Sequence, residues 1–257
     1  MTLDGLPVLS RVPTASATQM AAADRIASAD LGIPLEVLME NAAHQIAVAT
    51  RLFAGGVSGM RIAALCGSGN NGGDALAALR HLAGWGADVE ALMSAPREKL
   101  RPLAALQHDI LTKLGVPMRF TTGMKHDELA TALAGPAILL DGLLGYGARG
   151  APRGEVARVI ETVVSSARIG TVVAVDLPSG IDPDTGESAS GTPASVIAAS
   201  MTVTLALPKT GLPRERARRY VGELVVADIG IPPRAYDGMG IDAHGVFAEG
   251  DLVRIIP

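Results

Sequence analysis

The sequence predicts an α/β fold: a doubly wound, mostly parallel sheet with helices on both faces and a helical extension at its N-terminus. Three observations carry this expectation. From Arg61 onward, short apolar segments alternate with amphipathic ones, the order of a chain of βαβ units. Several short segments are continuous apolar runs, such as Ala137-Ile-Leu-Leu140 and Thr171-Val-Val-Ala-Val175, as befits strands buried on both faces. The 257 residues are 48% hydrophobic but only 3% aromatic, which suits helices packed on a β-branched sheet better than an aromatic-rich sandwich.

Taken in order, Met20, Ala23, Ile26 and Ala27 form a first helical stripe. The breaker Gly32-Ile-Pro34 ends it, and Leu35, Leu38, Met39, Ala42 and Ile46 form a second. Two helices over about 17–54 therefore precede the first strand. Strands at 61–65, 88–93, 118–121, 137–141 and 171–177 then alternate with helices at 74–84, 101–114, 126–134 and 156–167. After Gly191 two further strands follow, at 201–207 and 224–229. No repeat, low-complexity tract or linker interrupts the chain. This predicts one domain over 1–257, with its core at about 60–232 and a tail at 233–257.

Composition removes several function classes. The formal net charge is −4 and no long Lys/Arg run exists, so a nucleic-acid partner has no electrostatic support. The nearest approach is Arg214, Arg216, Arg218 and Arg219, interrupted by Glu215, which reads as a solvated face. The single cysteine, Cys66, excludes an internal disulfide and a cysteine zinc site, and its apolar context reads as a buried strand end. The N-terminus has neither a basic start nor an apolar core of a signal peptide, and no apolar run approaches the roughly 18–20 residues that span a bilayer. A soluble, cytoplasmic protein without a membrane partner is expected. The histidines His44, His81, His108, His126 and His244 are scattered and read as surface or helix-packing residues.

Three strand ends carry the polar text, and in an open α/β sheet all three face the ligand-binding edge. The first is Gly67-Ser-Gly69-Asn70-Asn71-Gly72-Gly73-Asp74. It satisfies G-x-G-x-x-G between a strand and a helix, where glycines admit a phosphate and the helix N-terminus offers N–H groups. A tight glycine turn accounts for the glycines alone, but less well for four polar residues among them. The second, Asp141-Gly-Leu-Leu-Gly145-Tyr146-Gly147-Ala148-Arg149-Gly150, closes an apolar strand with a carboxylate, and a buried charge calls for a partner. The third is Asp176-Leu-Pro178-Ser179-Gly180. Asp141, Asp176, Asn71 and Ser179 together form an oxygen-rich set suited to a hard cation.

These segments, with Leu38-Met39-Glu40-Asn41-Ala42, Pro208-Lys209 and Asp228-Ile-Gly-Ile-Pro232, resemble the NAD(P)H-hydrate epimerase family in order and spacing from about residue 17 to 232. The resemblance implies a Rossmann-like fold and interconversion of the R and S epimers of NADHX and NADPHX, the hydrated cofactors, in metabolite repair. It implies that Asn70, Asn71, Gly72, Gly73, Asp74, Gly145, Tyr146, Gly147, Ala148, Arg149, Gly150, Ala151 and Asp176 contact this substrate. It further implies one potassium ion per subunit on Asn71, Asp141 and Ser179, a homodimer, and a separate dehydratase in the same pathway. Ser68, where the family has the proline of a Gly-Pro-Gly, and Ala75 and Ala43, where it has glycine, depart from the family's pattern.

Epimerisation, by loss and return of the hydroxyl or by reversible ring opening, needs a group that gives and takes a proton near that hydroxyl. Asp176 is the first candidate and Lys209 the second. Three other readings compete. A nicotinamide oxidoreductase would use the glycine loop, with Asp88 or Glu90 on a ribose hydroxyl. A binding scaffold of the same fold would tolerate loss of Asp74, Asp141 and Asp176, all of which are present. A paralogue would isomerise or dehydrate another small molecule.

Overall fold

The computed structural model describes residues 3–256. The chain runs β1 (Val8–Leu9), α1 (Ala17–Arg25), α2 (Leu35–Ala54), β2 (Arg61–Cys66), α3 (Asn70–Gly84), β3 (Asp88–Met93), α4 (Pro102–Lys113) and β4 (Met118–Phe120). It continues through α5 (His126–Ala134), β5 (Ile138–Gly142), α6 (Gly154–Ser165), β6 (Thr171–Val175), β7 (Met201–Leu205), α7 (Arg218–Val221), β8 (Glu223–Ala227) and β9 (Leu252–Ile255). The strands form one sheet in the order β1-β9-β8-β7-β6-β5-β2-β3-β4. Each pairing is parallel except that of β8 with β9. From β2 the chain winds outward to β4, then returns to the far side of β2 and proceeds through β5 to β8. The reversal falls between β2 and β5, where loops diverge and leave a crevice at the carboxyl edge.

Alternation along the strands divides the core. Ile62, Ala64 and Cys66 of β2 face the layer of α2, α3 and α4. Ala63 and Leu65 face the layer of α5 and α6. Local signals set the helix ends. Ser16 caps α1 in a reciprocal box with Gln19, Pro102 opens α4, and Gly55, at φ 73°, terminates α2.

The doubly wound architecture agrees with the sequence reading, and three details correct it. The helix expected from Asp74 begins at Asn70, so the Asn-Asn-Gly-Gly segment is its first turn. Two adjacent glycines hide that turn from propensity, and close packing requires them. A Cβ on Gly72 would lie 2.0 Å from the Gly67 carbonyl oxygen, and one on Gly67 would lie 2.0 Å from that of Leu143. The tail is not outside the sheet, because Leu252–Ile255 pairs with β8 and with β1. A four-residue strand is too short to declare a period. Asp88 opens β3 at the amino edge, and Glu90 is engaged by Arg61 and Arg119. Neither reaches the carboxyl edge, so the oxidoreductase reading loses its ribose carboxylate.

Cys66 is fully buried, and Arg214, Arg216, Arg218 and Arg219 are exposed. His44 and His81 pack around Trp85. Among the described residues no helix is long and apolar enough to cross a membrane.

Gly72→Ala should lower stability by about 1–3 kcal/mol or more through overpacking, read as the midpoint of denaturant unfolding. Gly84→Ala lies in the same helix, and its Cβ meets nothing within 4 Å. It should leave the midpoint unchanged within about 0.5 kcal/mol, or raise it.

Candidate active site

A cavity of about 620 Å³ opens at the carboxyl edge, walled by α1, α2, the start of α3 and the loops after β5, β6 and β7. Asp176 and Lys209 both line it. Asp176 follows β6 in the left-handed region, at φ 69°, and Ala206 follows β7 at φ 62°. Non-glycine residues held there cost on the order of 1 kcal/mol or more. Here the chain is over-determined: the Asp176 N–H donates to the Val203 carbonyl at 2.8 Å. The buried carboxylate lines the cavity. Its Oδ1 accepts from Lys209 Nζ and from the Leu205 N–H at 3.3 Å, while Oδ2 accepts from the Tyr146 N–H at 3.2 Å.

Lys209 has no exposed surface. Its ammonium also donates to Thr204 Oγ1 at 3.3 Å and to the Leu205 carbonyl at 3.0 Å. All three of its protons therefore have acceptors, which a buried ammonium requires. Ala15 covers it, exchanging backbone hydrogen bonds with Pro208 at 3.0 Å and Thr210 at 3.1 Å.

Two further carboxyls face this pair. Asp24 of α1 accepts a short hydrogen bond from the Tyr146 hydroxyl, whose ring lies 5.5 Å from Lys209 Nζ. Burial raises the Asp24 pKa, opposed by that hydrogen bond and by Lys209, while the Asp176 charge raises it further. Burial and the Asp24 carboxylate likewise push the Tyr146 phenol up. Asp74, in the second turn of α3, is buried and lines the cavity. Burial first, then the charges of Asp176 and Asp24, hold its carboxyl well above the usual range, with Lys209 acting in the opposite sense.

Behind the cavity, Asp141, next to last in β5, has no exposed surface. Its Oδ1 accepts from Ser179 Oγ at 2.6 Å and its Oδ2 from the Ser179 N–H at 2.7 Å. Burial raises its pKa to about 6, against the Ser179 hydrogen bonds. Ser179 Oγ in turn accepts from the Leu144 N–H at 3.0 Å, and the Leu144 carbonyl accepts from Asn71 Nδ2 at 3.0 Å. The backbone of one residue, Leu144, thus strings Asn71, Ser179 and Asp141 together. All three present oxygen, and no cationic side chain balances Asp141 among the described residues. The donor set therefore fits a hard monovalent cation.

Of the residues expected to contact substrate, Asn70, Asn71, Asp74, Gly145, Tyr146, Gly147, Ala148, Arg149 and Asp176 line this cavity. Gly150 lines a smaller neighbouring one of about 130 Å³. Ala151 lines neither. Gly72 and Gly73 also lie off its surface, pressed against Gly67 and the Met39 side chain. Of Ser68, Ala75 and Ala43, only Ser68 reaches the cavity, while the two alanines are core residues. Asp24 escaped the sequence reading: an isolated acid near the end of an amphipathic helix carries no local mark of its partner 122 residues away. Asn41 of the Met-Glu-Asn-Ala segment acts at a distance too, donating to the Ile229 carbonyl at 3.0 Å and so fastening α2 to the loop after β8.

Comparison with known proteins gives the arrangement a lineage. The family model described as YjeF-related protein N-terminus matches residues 35–211. An NAD(P)H-hydrate epimerase of Dehalogenimonas lykanthroporepellens is 35% identical over 234 residues, covering 90% of this chain and 88% of that protein. The Bifunctional NAD(P)H-hydrate repair enzyme Nnr of Moorella thermoacetica is 40% identical over 221 residues, covering 85% of this chain. The chain spans 41% of that bifunctional relative's length. A solved structure, that of yeast ynu0 (YNL200c), superposes with a TM-score of 0.77 at 22% identity, covering 94% of this chain and 99% of the yeast one; at that identity the likeness speaks for the fold. With a family model spanning most of the chain and a relative matched along nearly its whole length, the chain belongs to the YjeF-related N-terminal family, that of the NAD(P)H-hydrate epimerases.

Proposed function

We propose that this chain interconverts the R and S epimers of hydrated NADH and NADPH, as the names of its relatives suggest. The observation that carries the proposal is the buried Asp176–Lys209 pair beside the first turn of α3, in a cavity of about 620 Å³. The free N–H groups at the start of α3 suit a phosphate of the dinucleotide. A dehydratase acting on the same substrate is the partner we infer, in keeping with the bifunctional repair enzyme among the relatives.

The reacting carbon bears a hydroxyl beside a ring nitrogen. Loss of the hydroxyl gives an iminium, and water returns on the other face. Asp176 handles the proton of the entering water. Its Oδ1 is taken by Lys209 and the Leu205 N–H, which leaves Oδ2, bound only by the Tyr146 N–H, to face the reaction. Lys209, with every proton engaged, positions Asp176. A potassium ion on Asn71, Asp141 and Ser179 would supply positive charge behind the loop and no redox chemistry.

Chiral separation of NADHX epimers, from an R-enriched mixture with and without protein, tests the activity. Asp176→Asn should reduce turnover by on the order of 10²–10⁴-fold with the fold retained. Lys209→Met should destabilise by roughly 3–5 kcal/mol, because it strands a buried carboxylate, and the double variant should cost less than the sum of the singles. Near wild-type turnover in Asp176→Asn beside a dead Lys209→Met would transfer the proton to the lysine.

The cation has its own signature. Asp141 is raised from 3.8 to about 6, so its contribution to stability is full below the unfolded pKa and is lost as pH rises through about 6. That loss approaches about 3 kcal/mol by linkage, and a bound cation offsets it. Potassium should therefore raise the thermal midpoint more at pH well above 6 than below it, against tetramethylammonium at equal ionic strength. Equal midpoints in both salts at both pH values would remove the cation from the proposal.

A further inference from the structure

We propose that Asp74 is the general acid of this cavity, giving its carboxyl proton to the departing hydroxyl while Asp176 takes a proton from the water that replaces it. The inference rests on the epimerase reading and adds the proton's source, which that reading lacks. A hydroxide leaving a carbon needs a proton, and neither Asp176 nor Lys209 is free to give one. Asp176 is bound by an ammonium and two backbone N–H groups. Lys209 has all its protons committed and no surface in contact with solvent.

The charges facing Asp74 decide which group carries the proton. From the loop after β6 comes Asp176, from α1 Asp24, from the loop after β7 Lys209, and from the loop after β5 the Tyr146 phenol. On the two helices packed on α3, Glu40 of α2 binds Arg80 and His81, and His108 of α4 binds Asp109. Arg101 and Arg149 line the same cavity from exposed positions, and Arg149 donates to the Tyr146 and Ala148 carbonyls. Three carboxyls thus share one buried cation. Asp176 holds Lys209, and Asp24 receives the Tyr146 hydroxyl. Among the described residues none gives the Asp74 carboxyl a hydrogen bond or ion pair, and it still opens onto the cavity. A buried carboxyl between two carboxylates, with no donor of its own, is stable in its protonated form. A carboxyl without a donor beside one that holds an ammonium supplies an acid and a base in one site.

The step balances. The carbon–oxygen bond breaks with its electron pair on oxygen, which takes the Asp74 proton and leaves as water, while the ring nitrogen's lone pair forms the carbon–nitrogen double bond. Water then adds to the opposite face and passes a proton to Asp176. That proton returns to Asp74 through cavity water, and nothing is oxidised or reduced.

The test measures kcat and KM for NADHX epimerisation across pH, together with the side-chain carboxyl titrations of enzyme labelled with carbon-13 at aspartate. Wild-type kcat should fall on the alkaline side, above the ordinary carboxylate range, as Asp74 loses its proton. Asp74→Asn should reduce kcat by on the order of 10²–10⁴-fold, leave KM within a small factor, and remove both the alkaline limb and one high-titrating resonance. Near wild-type kcat in this variant, or a wild-type kcat with no alkaline fall, would overturn the proposal. The second outcome needs no variant to fold. A wild-type enzyme that does not epimerise NADHX would sink the epimerase reading, and with it the step. The carboxyl titration would still show whether Asp74 holds a proton, so the two failures are distinguishable.

Discussion

The ion pair of Asp176 and Lys209 is the constraint around which the carboxyl edge of this sheet is arranged. An ammonium and a carboxylate withdrawn from water must be paired and fully hydrogen-bonded, or they cost several kcal/mol. Meeting that requirement takes Thr204 Oγ1 and the Leu205 backbone at the end of β7 and the Tyr146 N–H from the loop after β5. It also takes two left-handed residues, Asp176 and Ala206, where the chain turns off β6 and β7. The strain lies where the chemistry is proposed, as strain in folded proteins often does.

The topology makes such a convergence possible. Reversal of winding between β2 and β5 parts their loops, and the α3 N-terminus fills one side of the gap. Glycines at 67 and 72 let two backbone segments touch there, so Asn71 reaches the Leu144 carbonyl. Tyr146, two residues on, reaches Asp176 with its backbone and Asp24 with its hydroxyl. The tripeptide from Leu144 to Tyr146 therefore joins the Asp141 cluster to the Asp176 cluster.

Much of this was legible in the sequence, for physical reasons that also mark the limit. Strands β5 and β6 are apolar on both faces, and such runs announce a parallel sheet wherever they occur. The polar segments that follow them stand out because carboxylates at buried strand ends are costly without a partner. What stayed hidden was non-local. Asp24 has the appearance of any solvated helix acid until α1 is laid across the loop of Tyr146. The start of α3 was masked because Gly72 and Gly73 serve close packing at the expense of propensity. Strand β9 has four residues and draws its identity from its neighbours.

The pairing of Val8 with Arg254 and of Leu9 with Ile255 bears on how the molecule is made. These partners come from opposite ends of the chain, and closing so long a loop costs entropy before any contact repays it. A chain emerging from the ribosome can assemble β2 to β8 with their helices while β9 is still unmade. The cover over Lys209 is likewise non-local, because Ala15 must return across nearly two hundred residues to reach Pro208 and Thr210. Nucleation therefore belongs to the local βαβ units, and the outer edge of the sheet joins among the last acts of folding. Until then β8 presents an open, apolar edge, the kind of surface at which newly made chains associate with one another.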